Sequence, residues 1–236
     1  MKAIIIGASS GIGRALALQM AEQQHQVGLI GRRTELLEQL KDQYPEQFMV
    51  SAFDITAGQP ALEKLEQLAN SLGGIDILIM SAGTGELNEA LDFELERSTI
   101  DLNVTAFNQV MVWAYQYFAG QGQGQIVAIS SIAGLRGNAI APAYNASKAY
   151  QISYLAGLRQ KARKQKLQLT ITDVRPGFVA TDMAKGDQKF WVARPEKAAL
   201  QILDAINRKR NVIYVTRRWR IIAWLLKILP RFLYER

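Results

Sequence analysis

The stretch Gly7-Ala8-Ser9-Ser10-Gly11-Ile12-Gly13 directly follows the apolar run Ala3-Ile4-Ile5-Ile6 and opens a helical pattern that reaches Met20. A strand that passes through a glycine-rich turn into a helix is a phosphate-binding geometry. Gly7 can take backbone angles that a side chain would forbid, Gly11 lets the main chain approach a pyrophosphate, and Gly13 lets the new helix pack close to the strand. The unpaired amides at the helix start then face the anion. Spaced glycines alone are weak evidence, but their place between a strand and a helix points to a dinucleotide.

Downstream, apolar runs alternate with helix-period stretches. Strands are expected at Gln26 to Ile30, Phe48 to Phe53, Ile75 to Met80, Gln125 to Ser130, Leu167 to Val174 and Val212 to Val215. Helices are expected at about Thr34 to Tyr44, Pro60 to Leu72, Glu94 to Phe118, Pro142 to Gln165 and Arg194 to Arg208. Seven strands separated by helices imply an α/β fold, a doubly wound parallel sheet with helices on both faces. With 236 residues, 49% of them apolar, the chain suits one well-buried domain, here residues 1–215, followed by a tail, residues 216–236. Ligands on such sheets gather at the carboxyl ends of the strands. There are no cysteines, which excludes disulfides and thiolate metal sites and suits a reducing, cytoplasmic setting. The first twenty residues read as strand, turn and helix, because glycines, serines and Arg14 interrupt any secretion-signal pattern.

The net charge of +7 suggests nucleic acid until it is located. Nine Lys or Arg and one Glu lie between Arg208 and Arg236, and the remaining 207 residues carry a net charge of −1. The body is neutral, the tail is basic, and no nucleic-acid-binding motif accompanies the charge.

The end of the second strand bears on the cofactor. Where an NAD site places a carboxylate for the ribose 2′-OH, this chain has Gly31 followed by Arg32 and Arg33. Two guanidiniums able to pair a 2′-phosphate favour NADPH over NADH; the plainer reading is a solvated basic helix start. Asp54 stands where it could meet the adenine edge or equally be the N-terminal cap of the following segment.

In the helix after the fifth strand, Tyr144 and Lys148 are four residues apart and share a face. A cation there stabilises phenolate and lowers the phenol pKa, so that Tyr144 can pass a proton to a carbonyl oxygen as a hydride reaches the carbon. Ser131, at the end of that strand, can hydrogen-bond the same oxygen.

These residues resemble the short-chain dehydrogenase/reductase family, over roughly Lys2 to Val215. The glycine turn matches, Ser81-Ala82-Gly83 matches the family's Asn-Ala-Gly turn, and Ser131 stands thirteen residues before Tyr144 as the family requires. Asp101-Leu102-Asn103-Val104 supplies an Asn, and Pro176-Gly177-Phe178-Val179-Ala180-Thr181 matches the segment that holds the nicotinamide. The resemblance implies a Rossmann-like fold and a catalytic set of Asn103, Ser131, Tyr144 and Lys148. Tyr144 would be the general acid, Ser131 would polarise the carbonyl, and Lys148 would bind the nicotinamide ribose and lower the Tyr144 pKa. Asn103 would hold a helix kink and a water that completes a proton relay. The implied cofactor contacts are Gly7, Ser9, Ser10, Gly11, Ile12, Gly13, Arg32, Arg33, Asp54, Ile55, Ala82 and Gly83. Tyr144, Lys148, Pro176, Gly177, Val179 and Thr181 complete them, with Thr181 on the carboxamide; no metal is implied. Two departures, Ile6 for the usual Thr and Met80-Ser81 for the paired Asn, bear on packing more than on chemistry.

The segment Gly177 to Arg194 is the expected lid, and its Met183, Phe190 and Trp191, set among Lys185, Asp187 and Lys189, suit a hydrophobic or bulky carbonyl. Trp219 to Tyr234 is an apolar helical stretch with Arg220, Lys227 and Arg231 on one stripe, too short and too interrupted to span a bilayer. It either packs on the body or a second subunit, or lies in a membrane interface. The leading function is an NADPH-dependent reductase of a ketone or aldehyde, working as a homodimer or homotetramer. A membrane-associated enzyme acting on a lipid or lipid-linked sugar, and a cofactor-sensing protein without turnover, are the alternatives.

Overall fold

Side-chain alternation along the first strand decides where the layers go. Ile4 and Ile6 point to one face, Ala3 and Ile5 to the other, and all four are buried, so both faces must be covered. In the computed structural model, which describes residues 1–183 and 190–234, helices supply that cover. The strands are β1 (Lys2–Ile6), β2 (Gln26–Gly31), β3 (Phe48–Ala52), β4 (Ile77–Met80), β5 (Gln123–Ile129), β6 (Gln168–Pro176) and β7 (Val212–Val215). They form one sheet in the order β3-β2-β1-β4-β5-β6-β7, with every neighbouring pair parallel. One face is covered by α1 (Gly11–Glu22), α2 (Thr34–Gln43) and α7 (Pro195–Asn207). The other is covered by α3 (Gln59–Ser71), α5 (Phe107–Gln121) and α6 (Pro142–Lys164). This is the Rossmann-like doubly wound sheet that the alternating sequence pattern requires.

The strand order reverses between β1 and β4, and the crevice at that switch point is where a ligand fits. The two loops that flank it are tied to strand ends. Gly7 and Ala8 amides donate to Ile30 O, and Ser81 and Ala82 amides donate to Ile6 O.

Two elements differ from the sequence expectation for physical reasons. The single helix expected at Glu94 to Phe118 is α4 (Phe93–Ile100), a π-helical segment at Asp101–Ala106, and then α5. The interruption centres on Asn103, whose side chain and carbonyl are both engaged by partners outside the helix. The last strand before the lid runs to Pro176 instead of Val174, because Arg175 and Pro176 pair with Tyr214 and Val215 of β7.

The tail forms α8 (Trp219–Ile228) and a short α9 (Arg231–Tyr234), broken at Leu229-Pro230. The cationic stripe therefore does not continue along one helix to Arg231. On α8, Trp219, Ile222, Ala223 and Leu226 turn toward the body, whereas Ile221, Trp224, Leu225 and Ile228 turn outward. Among the described residues no helix is long and apolar enough to cross a membrane.

Candidate active site

The glycine turn is a cradle in which the main chain itself leaves no room for side chains. A Cβ on Gly7, whose φ is +91°, would lie 2.5 Å from Ala82 N, and one on Gly13 would lie 2.1 Å from Gly7 O. The turn delivers Gly11 and the first amides of α1 to the switch point, with Gly11 beside the methyl group of Thr181. Ser9 and Ser10 hydroxyls both accept from Arg33, at 2.9 and 2.6 Å from Nη2. Ile55 is buried in the core and Ile12 is partly buried against it. Arg32 is exposed and stands 3.7 Å from Asp54.

Of the two roles considered for Asp54, the structure shows the cap. Its Oδ1 accepts from Thr56 N at 2.9 Å and Thr56 Oγ1 at 2.8 Å. Partial burial pushes its carboxyl up, but the Thr56 bonds and the Arg32 charge outweigh that and hold it below the usual value.

The loops after β1, β4, β5 and β6 converge as expected. A Cβ placed on Gly83 would stand 3.4 Å from both Asn103 Oδ1 and Lys148 Nζ, so these two side chains meet beside the Ala82-Gly83 turn. Asn103 is fully buried and fully engaged: Oδ1 accepts from Thr84 N at 2.9 Å, and Nδ2 donates to Thr84 O at 2.6 Å and Ser147 Oγ at 3.0 Å. Ser131 begins the 3-10 turn Ile132–Leu135, where its hydroxyl accepts from Ala133 N at 3.1 Å and donates to Pro176 O at 3.5 Å, and it stands close enough to the Tyr144 phenol to influence its acidity.

The acidity of Tyr144 departs from expectation. Lys148 Nζ stands 5.8 Å from the centroid of the Tyr144 ring, and burial pushes the phenol above its ordinary value, against a smaller opposing effect of the Ser131 hydrogen bond. Desolvation of the phenol therefore sets the direction, opposite to the lowering expected from Lys148. Lys148 itself is drawn down to about 8 by burial, with buried Asp173 on β6 pulling the other way. Asp173 is paired with Arg175 at 2.7 Å. An ammonium of this kind is charged below about pH 8 and neutral above it.

Pro176 ends β6, and Val179 is buried in an isolated bridge to Ala193 that ties the two ends of the lid together. Gly177 lies directly against the Trp219 ring. Among the described residues Thr181 Oγ1 makes one long 3.4 Å bond, to Val179 O. Met183, Phe190 and Trp191 are exposed. Lys185, Asp187 and Lys189 lie outside the described residues.

Several contributors escaped the sequence reading. Gly85 lies directly against the Tyr144 ring, since a Cβ there would come within 2.4 Å of it. Gln151, one turn beyond Lys148, links that lysine to the Asn103 carbonyl. Arg136, in the loop after Ser131, donates to Leu226 O at 2.7 Å and Leu229 O at 2.6 Å, satisfying the last carbonyls of α8. Only Gln151 had a local signal, its i+3 spacing from Lys148.

Comparison with known proteins agrees with this arrangement. The family model described as short chain dehydrogenase matches residues 1–190. An uncharacterized oxidoreductase of Myxococcus xanthus is 33% identical over 186 residues, covering 77% of this chain and 73% of its own. One of Mycobacterium tuberculosis is 29% identical over 239 residues, covering 97% and 94%. Among solved structures, the closed form of a serine dehydrogenase complexed with NADP+ matches with a TM-score of 0.81 at 25% identity, over 91% of this chain and 94% of that one. With the family model matching most of the chain and an oxidoreductase 33% identical over 77% of it, the chain belongs to the short-chain dehydrogenase family of oxidoreductases.

Proposed function

We propose that the protein is an NADPH-dependent reductase that converts the carbonyl of a hydrophobic or bulky substrate to an alcohol. The observation that carries the cofactor choice is Arg33, whose guanidinium bridges Ser9 and Ser10 at the rim of the glycine cradle, with Arg32 beside it and Gly31 where a carboxylate would select NADH. The residues present fit a phosphorylated dinucleotide: the cradle would take a pyrophosphate against backbone amides, and Arg32 and Arg33 would pair a 2′-phosphate. When bound, the nicotinamide supplies the hydride. Ser131 orients and polarises the carbonyl oxygen, and Tyr144 donates its phenolic proton to that oxygen. Lys148, as the ammonium, holds the ribose and stabilises the phenolate left behind. Arg33→Ala lowers kcat/KM for NADPH by about 10- to 100-fold and leaves that for NADH nearly unchanged, the cost of one charge-assisted phosphate contact. Equal losses with both cofactors, measured by absorbance with a panel of aromatic ketones and α-diketones, would overturn the choice.

The assembly proposed is a cytoplasmic homodimer or homotetramer, supported by exposed apolar side chains along α4 and α5, including Phe93, Leu95, Ile100 and Val112. A second reading, favoured by the outward face of α8, makes the enzyme peripheral to a membrane, with a lipid or lipid-linked sugar as substrate. Ile221 and Trp224 are about three-fifths exposed, and Leu225 and Ile228 about half. Arg217, Arg218, Arg220 and Lys227 surround them, and no acidic residue occurs between Thr216 and Tyr234. Two copies meeting through this face would oppose like charges, whereas an anionic headgroup layer complements them. The exposed lid residues Phe190 and Trp191 adjoin it through their ring contacts with Trp219. The full chain is expected to co-sediment with phosphatidylcholine vesicles only when they contain phosphatidylglycerol, and to be released by salt. The double variant Ile221→Ser, Trp224→Ser then binds about tenfold more weakly or less. Equal binding by variant and wild type, or none by either, would overturn the membrane reading.

A further inference from the structure

Gln151 lies on the same face of α6 as Lys148, one turn further on, and is 1% exposed. Its amide joins two groups of the site. Lys148 Nζ donates to Gln151 Oε1 at 3.0 Å, and Gln151 Nε2 donates to Asn103 O at 2.9 Å. The partners fix the amide's orientation, because an ammonium only donates and a backbone carbonyl only accepts. The Asn103 carbonyl belongs to the π-helical segment, where the regular helical ladder is interrupted and a carbonyl can be claimed from outside. A second Lys148 N–H goes to Ile129 O at 3.1 Å. An ammonium has three, so one is left for a ribose hydroxyl.

We propose that Gln151 is a positioning residue that aims Lys148 at the cofactor ribose and favours its charged form, its amide standing between Lys148 and Asn103 where the family resemblance implies a water. A side chain with fixed polarity, anchored by its own backbone in α6, replaces an exchangeable link. The role rests on the reductase reading for its catalytic consequence, but not for its effect on Lys148. The other groups that act on this ammonium are the Ile129 carbonyl, the Tyr144 ring on α6 and Asp173 on β6, itself paired with Arg175. Burial opposes them and draws Lys148 to about 8.

Two substitutions of similar bulk separate aiming from packing. Gln151→Leu removes the acceptor, so the ammonium is less favoured and its charge is lost at lower pH. Gln151→Glu puts a carboxylate beside Nζ, so the charge persists to higher pH. The readout is the affinity for NADPH and for NADH, by quenching of tryptophan fluorescence between about pH 6 and about pH 10, a range spanning the ordinary lysine value. Wild-type affinity is expected to fall as the pH rises through about 8. The fall moves down by about one pH unit in the Leu variant and up by about one in the Glu variant. With 1-phenyl-1,2-propanedione as carbonyl probe, the Leu variant loses about tenfold in kcat with little change in KM for the dione, and the Glu variant recovers most of that loss. Profiles that coincide with wild type in both variants, or move in the same direction in both, would overturn the role. Wild type that binds cofactor yet reduces no carbonyl would overturn the reductase reading instead, leaving the opposed shifts to decide Gln151.

Discussion

Replacing Tyr144 by Phe is expected to lower kcat about a thousandfold while leaving cofactor affinity within about twofold, the range set by loss of one positioned proton donor. The phenol oxygen is the group of the site that can give a proton to a substrate oxygen also held by Ser131. Lys148 Nζ stands 5.8 Å from the ring centroid and spends two of its N–H groups on Ile129 O and Gln151 Oε1, so its task is to bind and to hold charge. The ring would stay where it is, because Gly85 lies against it with no room for a side chain and the Phe ring has the same outline. A thousandfold loss corresponds to about 4 kcal/mol of transition-state stabilisation, more than a hydrogen bond to a neutral group supplies and in keeping with acid catalysis. The check is steady-state kinetics beside a cofactor titration of the same preparation. Unchanged turnover would remove Tyr144 from the acid's role, and a parallel loss of cofactor binding would mean that the hydroxyl supports the ribose more than the reaction.

What the sequence made legible was local. The glycine turn, the Tyr144 and Lys148 pair and the seven apolar runs each carry their signal within a few residues, and each stands in the structure where its spacing put it. What stayed hidden depends on partners distant in the chain. The π-helical break at Asn103 is held by Ser147 and Gln151, more than forty residues on, so the helical period through Phe118 gave no warning of it. The phenol's raised pKa comes from burial under elements that meet only in the fold, whereas the spacing of Tyr144 and Lys148 suggested the opposite sign. The tail is the clearest case. Its apolar residues surround the helix, and periodicity alone cannot say which face the body takes. The structure gives Trp219, Ile222, Ala223 and Leu226 to the body and leaves the next stripe outside, so packing on the body is observed together with an outer face free for a further partner.

That division makes Trp219 the tail residue with the largest expected effect. Its ring is 2% exposed and lies against Gly177, with Phe178 at 5.6 Å, Phe190 at 4.9 Å and Trp191 at 5.8 Å between centroids. Trp219 Nε1 has no hydrogen-bond partner among the described residues, so the ring acts through packing. Trp219→Ala is expected to destabilise the protein by about 3–5 kcal/mol, the cost of emptying a buried aromatic site. For a chain of this length that lowers Tm by about 6–20 °C. Because the ring backs Gly177, in the segment the resemblance assigns to the nicotinamide, the KM for cofactor should rise at temperatures where the variant is still folded. Trp224→Ala, on the outer face of the same helix, should change stability by no more than about 0.5 kcal/mol. Thermal unfolding of both variants, with and without NADPH, checks the pair. Similar Tm values for the two would mean that α8 rests on the body too loosely for Trp219 to matter. A large loss confined to Trp219→Ala, together with weaker cofactor binding, would make the tail a wall of the active site, and cutting the chain after Val215 would then damage catalysis whether or not a membrane is present.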